Sequence, residues 1–166
     1  DEDDNEVPNG ELGEIVLRGP NIFKGYFKNP EATEKAFANG WFHTGDIGYR
    51  DADGFFYIAD RKSDMIIRAG ENIYPREIDD VLYTHPAVAH AAVIGVPDEL
   101  YGEVVAAFIV LKDGYTQAET RPAGRASSSV VAASDIIDFC KLHLADYKCP
   151  KTVRFISDIP KGPTGK

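Results

Sequence analysis

Five consecutive residues, Asp60-Arg61-Lys62-Ser63-Asp64, carry no apolar side chain, and the hydrophobic period changes across them. Before them the apolar residues come in short runs: residues 14–18, 41–43, 47–49 and 55–58, each bounded by Gly, Pro or Asp. Runs of that length between turn residues read as strands. Asp51-Ala52-Asp53-Gly54 reads as a hairpin loop, and Thr44-Gly45-Asp46 as a turn between two of the runs. One short helix interrupts the strands. Asn29 is its N-cap, Pro30 its first residue and Gly40 its end, as helix termini prefer. A chain that switches period across a charged, unpadded segment folds as two pieces with a joint between them.

After the joint, strands alternate with helices. Met65-Ile66-Ile67 is a short strand, and Ala69-Gly70-Glu71-Asn72 a turn. Residues 75–84 place Ile78, Val81 and Leu82 on one face of a helix. Residues 87–96 form a strand ended by Pro97. Residues 103–111 form a second strand, apolar on both faces. Ser134 caps a further helix with Ile137, Cys140 and Leu144 along one side, stopped by Pro150, and residues 152–156 form a third strand. The order β-α-β-β-α-β predicts a small α/β (α+β) domain with helices packed on a sheet. The segment 114–134 is rich in Ala, Ser, Thr and Gly, shows no period, and reads as a flexible surface loop. The first piece, residues 1–60, is of a size at which burial is marginal for independent folding. It is expected to be the mostly β end of a larger N-terminal domain.

Composition narrows the partners. Of 166 residues, 43% are hydrophobic and 27% charged, a globular balance, and the net charge is −9. An acidic surface argues against nucleic acid, whose phosphates call for lysine and arginine. No apolar run approaches the ~18 residues of a membrane span, and no signal-peptide pattern opens the sequence. A cytoplasmic protein is expected. Cys140 and Cys149 have no framework or metal spacing and read as reduced thiols. The four histidines are scattered, so no metal site is expected.

Three stretches then gain meaning together: GWFHTGD at residues 40–46, DRKSDMIIRAGENIYPREID at residues 60–79, and PKGPTGK at residues 160–166. Their order and spacing resemble the adenylate-forming enzymes, the superfamily of acyl-CoA synthetases, luciferases and peptide-synthetase adenylation domains. GELGEIVLRGPNIFKGYFKNPEATEKAF, before the first stretch, fits the same resemblance. The resemblance implies that residues 1–60 close a large N-terminal domain and residues 61–166 form the mobile C-terminal domain. The implied activity is that of the C-terminal portion of an acyl-CoA ligase. An acid and ATP, with Mg2+, give an acyl-adenylate, and CoA then takes the acyl group and releases AMP. The acid would be a fatty or aryl acid, and the fragment alone would be inactive. An adenylation domain loading a carrier protein, or a binding module without chemistry, are the alternatives.

The resemblance also implies roles for single residues. Asp46 would accept the ribose hydroxyls of the nucleotide, a task suited to an ionised carboxylate with two acceptor oxygens. By itself it could equally cap a turn. Arg61 would reach the same ribose, although an arginine in a charge run is also what a solvated boundary carries. The hinge position of the family, usually Asp or Lys, is Ser63 here. Gly70 and Glu71 would line the path of the CoA pantetheine, where a glycine lets a thin ligand approach the backbone. A simple turn glycine fits Gly70 as well. Lys166 would be the catalytic lysine, its ammonium bridging the acyl carboxylate and the α-phosphate as charge gathers on phosphorus. As the last residue it could otherwise be a solvated tail.

Overall fold

A computed structural model describes residues 1–118 and 129–160. Lys166, with the rest of residues 161–166, and the middle of the Ser/Ala-rich segment lie outside the described residues. The chain divides into two compact units, Asp1–Ser63 and Asp64–Lys166.

Unit 1 is a three-stranded antiparallel sheet in the order β1 (Gly13–Leu17), β2 (Phe42–Arg50), β3 (Phe56–Arg61), with one helix, α1 (Pro30–Ala36). The helix starts where its residues dictate: the Asn29 carboxamide oxygen accepts from the Ala32 N–H at 3.0 Å, and Pro30 takes the first helical position. It stops at Ala36, earlier than expected, and the chain turns through left-handed Asn39 and Gly40 before β2. Phe23 holds this corner, its ring edge-on to Tyr26, Phe37 and Phe42 at centroid distances of 5.1, 5.3 and 5.0 Å. Two expectations change here. Thr44-Gly45-Asp46 is not a turn between strands but a bulge within the single strand β2. The return strand β3 also runs past Ile58 to Arg61, so Asp60 and Arg61 belong to a sheet and not to a loose joint.

Unit 2 is an α/β sandwich built on β7 (Gly102–Leu111). β6 (Val88–Asp98) pairs antiparallel along one edge of β7. The other edge is shared by β10 (Thr152–Phe155), parallel, and by β4 (Ile66–Arg68), antiparallel at Gly102. β5 (Glu71–Ile73) closes the β4 hairpin. Helices α2 (Pro75–Tyr83) and α3 (Ala133–His143) pack on the sheet and on each other. Val105, Ala107 and Ile109 of β7 point into the core beneath them, and Val104 and Ala106, facing the other way, are also buried. That double burial is why β7 reads as a continuous apolar run.

α2 contributes Ile78 and Leu82, and α3 contributes Ile136 and Cys140, each an i, i+4 pair and each fully buried. A side chain of that size contributes roughly 1.5–3 kcal/mol when fully buried. The α3 face is therefore centred on Ile136 and Cys140, not Ile137. Burial pushes the Cys140 thiol up to about 11 and the Cys149 thiol upward as well. Both are free cysteines that pack as small apolar groups.

Four further details depart from the sequence reading. Pro97 does not end β6 but sits within it, opposite Glu103. Among the described strands β6 pairs only with β7, and an edge position does not need the missing proline N–H. Ser134 is not the cap of α3. The Asp135 carboxylate reaches back to accept from the Ala132 N–H at 3.0 Å. α3 ends at His143, before a short 3-10 turn at Asp146–Lys148 that precedes Pro150. Segment 114–134, expected to be a flexible surface loop, contains two short strands among its described residues: β8 (Thr116–Ala118) pairs parallel with β9 (Val130–Ala132), and Val131 and Ala132 are buried.

Candidate functional site

In unit 1 the residues of interest gather around a bulge in the central strand of the sheet. Glu14 of β1 pairs with Ile47 and Val16 with His43, so Ile15 alone faces Thr44, Gly45 and Asp46. A bulge of this kind re-aims side chains that a regular ladder would hold flat. The bulge is fixed by its own polar groups. The Thr44 hydroxyl donates to the Ile15 carbonyl at 2.7 Å and accepts from the Asp46 N–H at 3.0 Å. On the opposite edge Asp46 pairs with Arg61 of β3, and the Arg61 Nε lies 3.9 Å from an Asp46 carboxylate oxygen. Asp46 is one-third exposed and Arg61 largely exposed, so both ends of this pair can be reached from solvent. The fold thus brings together the two proposed nucleotide contacts, which are fifteen positions apart in sequence.

A second layer lies behind them. The Glu14 carboxylate, only 12% exposed, accepts from the Gly45 N–H at 3.1 Å and from the Lys62 ammonium at 2.9 Å, and it stands 3.2 Å from Nδ1 of His43. The Lys62 N–H donates to the Gly45 carbonyl at 2.7 Å. Burial pushes the Glu14 carboxyl up, but the hydrogen bonds from Lys62, His43 and Gly45 outweigh it and hold the group below the usual carboxylate range. Neither Glu14 nor Lys62 stands out in the sequence as a site residue. A carboxylate in an otherwise apolar strand is the one available signal, and its partners lie 31 and 48 positions away. Unit 1 also has an open cavity of about 620 Å3 lined by Val7, Ile15, Trp41 and Phe56 among others, but neither Asp46 nor Arg61 lines it.

In unit 2, Gly70 and Glu71 lie at the β4–β5 hairpin. Arg68 pairs with Glu71, leaving Ala69 and Gly70 as a two-residue turn with φ of +52° and +88°. Nothing lies within 4 Å of where a Gly70 Cβ would sit, so the glycine serves the turn, and the space beside it is open. The hairpin is pinned from below. The Ala69 N–H donates to the Tyr101 carbonyl at 2.8 Å, and the Arg68 guanidinium lies 4.8 Å over the Tyr101 ring. Ser63 and Asp64 mark the division between the units. Among the described residues no group of three or more His, Cys, Asp or Glu is placed to hold a metal ion, and no helix is long and apolar enough to cross a membrane.

Comparison with known proteins adds the following. Residues 77–166 match the family described as AMP-binding enzyme C-terminal domain. The chain is 47% identical over 156 residues to a 2-succinylbenzoate–CoA ligase of Geobacillus sp. (strain WCH70), covering 94% of this chain and 29% of that protein. It is 45% identical over 165 residues to a sulfoacetate–CoA ligase of Cupriavidus necator, covering 99% and 30%. Among solved structures it resembles the o-succinylbenzoate CoA synthetase of Bacillus subtilis. In complex with the acyl-adenylate intermediate, that structure gives a TM-score of 0.78 at 41% identity, over 96% of this chain and 30% of the other. In complex with ATP and magnesium ion, it gives 0.80 at 40%, over 99% and 31%. The chain thus spans about 30% of the length of the curated relatives it matches.

Proposed function

This chain belongs to the AMP-binding enzyme C-terminal domain family, and we propose that it forms the C-terminal portion of an ATP-dependent acid–CoA ligase. In the first half-reaction a carboxylate attacks the α-phosphate of ATP, forming acyl-adenylate and releasing pyrophosphate. In the second, the CoA sulfur attacks the acyl carbon and AMP leaves. Aryl acids are favoured over fatty acids as the substrate class, because a 2-succinylbenzoate ligase is among the relatives. ATP and CoA as co-substrates suit the cytoplasm.

The observation that carries this reading is the Asp46–Arg61 pair on adjacent strands, held by a bulge whose own side chains fix its geometry. A one-third-exposed carboxylate held by this bulge suits a vicinal diol, because it brings two acceptor oxygens to one place. In this reading Asp46 binds the ribose hydroxyls, and Arg61 approaches the same sugar from the next strand. Mg2+ accompanies ATP, and among the described residues no cluster is placed to hold it. Gly70 and Glu71, at the open tip of a pinned hairpin, border the CoA path. Ser63 is the hinge through which unit 2 turns between the two half-reactions, Lys166 serving the first and the hairpin the second. Residues 1–60 are then the end of the large N-terminal domain, and residues 61–166 the mobile domain. The chain alone makes no acyl-adenylate, because orientation of both substrates supplies much of the barrier reduction.

The test uses the full-length protein in ATP–pyrophosphate exchange with a panel of aryl and fatty acids. Asp46→Ala is expected to raise the KM for ATP at least ~10-fold, a loss of about 1.4 kcal/mol. Lys166→Ala is expected to abolish adenylation while sparing thioester formation from supplied acyl-adenylate and CoA. An unchanged KM for ATP in Asp46→Ala, or equal loss of both half-reactions in Lys166→Ala, would overturn the corresponding assignment.

A further inference from the structure

The bulge in β2 leaves a gap that one side chain fills. Three residues of β2 stand opposite one residue of β1 there, so the Gly45 N–H cannot enter the β1–β2 ladder. A buried or half-buried N–H without a partner costs about 1–3 kcal/mol. Here the partner is the Glu14 carboxylate, at 3.1 Å. The same carboxylate takes the Lys62 ammonium at 2.9 Å, and the Lys62 N–H closes the loop on the Gly45 carbonyl at 2.7 Å. The sequence positions of these contacts matter. Gly45 immediately precedes Asp46, and Lys62 immediately follows Arg61. One carboxylate therefore grips the sequence neighbours of both proposed ribose contacts, through the Gly45 N–H and the Lys62 ammonium.

We infer that Glu14 is a positioning residue for nucleotide binding: it ties the Thr44–Asp46 bulge to Lys62 so that Asp46 and Arg61 stay paired across two strands. The inference rests on the assignment of Asp46 and Arg61 to the nucleotide. Its chemistry needs an anion, since three donors converge on the group: a backbone N–H, an ammonium and an imidazole. Charge-assisted bonds of this kind are about twice as strong as neutral ones. The low exposure of Glu14 keeps water from replacing them. His43, the third donor, also faces Asp4, with Nε2 3.6 Å from that carboxylate, so the acidic start of the chain closes the far side of the cluster.

The experiment has two arms. In the full-length protein, Glu14→Ala is expected to raise the KM for ATP ~10-fold or more while kcat at saturating ATP and the KM for the acid stay within ~3-fold. Glu14→Gln keeps an acceptor for Gly45 but loses the charge toward Lys62, and its KM for ATP should fall between the two. Lys62→Met should match Glu14→Gln. In the second arm, amide hydrogen exchange is followed by NMR in the 166-residue chain. The amides of Gly45 and Lys62 should exchange at least ~10-fold faster in Glu14→Ala, which removes the acceptor, with those of Ile78 and Ile109 unchanged. A parallel fall in kcat, acid affinity and melting temperature would mark Glu14 as merely structural and overturn the inference. So would an unchanged KM for ATP in Glu14→Ala where Asp46→Ala raises it. If Asp46→Ala itself leaves the KM for ATP unchanged, the ribose assignment fails. The exchange arm then decides whether the Glu14 tether exists at all, and unchanged Gly45 and Lys62 exchange removes it.

Discussion

The Gly48 Cα faces the Tyr57 carbonyl so closely that a Cβ at position 48 would run into that oxygen and into the Ile15 side chain. The two residues lie where the β2–β3 register shifts, just beyond Ile47, and Gly48 itself is buried. The register on which Asp46 meets Arg61 is set two residues away. Close backbone approach is therefore part of how the sheet holds that pair.

Gly48→Ala is expected to destabilise unit 1 by roughly 1–3 kcal/mol, the usual range for overpacking against atoms that cannot move aside. Trp41 is the one tryptophan of the chain and lies in unit 1, so its fluorescence in a urea titration reports this unit. An unchanged midpoint would mean that β3 shifts freely, and that the Asp46–Arg61 register is soft.

Val131 argues against treating the whole Ser/Ala-rich segment as expendable. It is 5% exposed and packs into the core with Ile136 and Cys140. Val131→Ala should cost about 1–2 kcal/mol, the lower part of the range for large-to-small core changes. That corresponds to a fall of ~2–8 °C in the melting temperature of a chain this size. Circular dichroism melting checks it. A deletion reaching Ala132 should cost more, and a melting curve that does not move would show that β9 contributes nothing to the core.

Glu14 predicts an acid limb in the stability of unit 1. Its folded-state carboxyl titrates lower than it would in the unfolded chain, because Lys62, His43 and Gly45 hydrogen bonds outweigh the effect of burial. A depressed carboxyl contributes stability above its unfolded value of 4.5, and that contribution is lost as pH falls through the folded value. Urea midpoints from Trp41 fluorescence should fall between pH 5 and about pH 3 in the unaltered chain. In Glu14→Gln they should start lower at pH 7 and fall less. Parallel curves for the two proteins would show that other carboxylates carry the acid limb.

What the sequence showed and what it hid follow from the range of the forces involved. Local signals were readable. Asn29-Pro30 starts α1, Pro75 opens α2 with Ile78 and Leu82 inward, and the unbroken apolar run of β7 announces a strand covered on both faces. The α/β class follows from those elements. Features decided by a distant partner were not readable. Pro97 stays in β6 because β6 is an edge among the described strands, and an edge is known only once the strand order is known. Thr44-Gly45-Asp46 has turn composition, yet β1 and β3 flank it and make it a bulge. Glu14 is indistinguishable from a solvated strand carboxylate until the fold brings Gly45 and Lys62 to it. At α3, Ser134 has the composition of a cap, yet Ala132 holds the N-cap position and its N–H is taken by the Asp135 carboxylate, a contact that only the side-chain geometry reveals.

The last prediction concerns the joint. Lys62 is fastened to unit 1 twice, by its N–H to the Gly45 carbonyl and by its ammonium to Glu14, and the division between the units falls after Ser63. These two bonds fix the φ and the side chain of Lys62, so a hinge at this joint turns no earlier than the Cα–C bond of Lys62. Ser63→Pro in the full-length protein fixes φ near −65° at that position. If the joint passes through two backbone states, proline favours one of them. The half-reaction that needs the other should slow ~10-fold or more, since a bias of about 1.4 kcal/mol already gives that factor. The other half-reaction should continue at close to its normal rate. Adenylation is followed by pyrophosphate release, and thioester formation from supplied acyl-adenylate and CoA, with thermal melting as the control for folding. Two unchanged rates would remove Ser63 as the hinge and move it to the Cα–C bond of Lys62 or to Asp64. Two slowed rates with a lowered melting temperature would show instead that proline breaks the joint rather than biasing it. Lys62→Pro separates the cases further: it removes the N–H that binds Gly45, so it should loosen the nucleotide pair and raise the KM for ATP, which Ser63→Pro should not do.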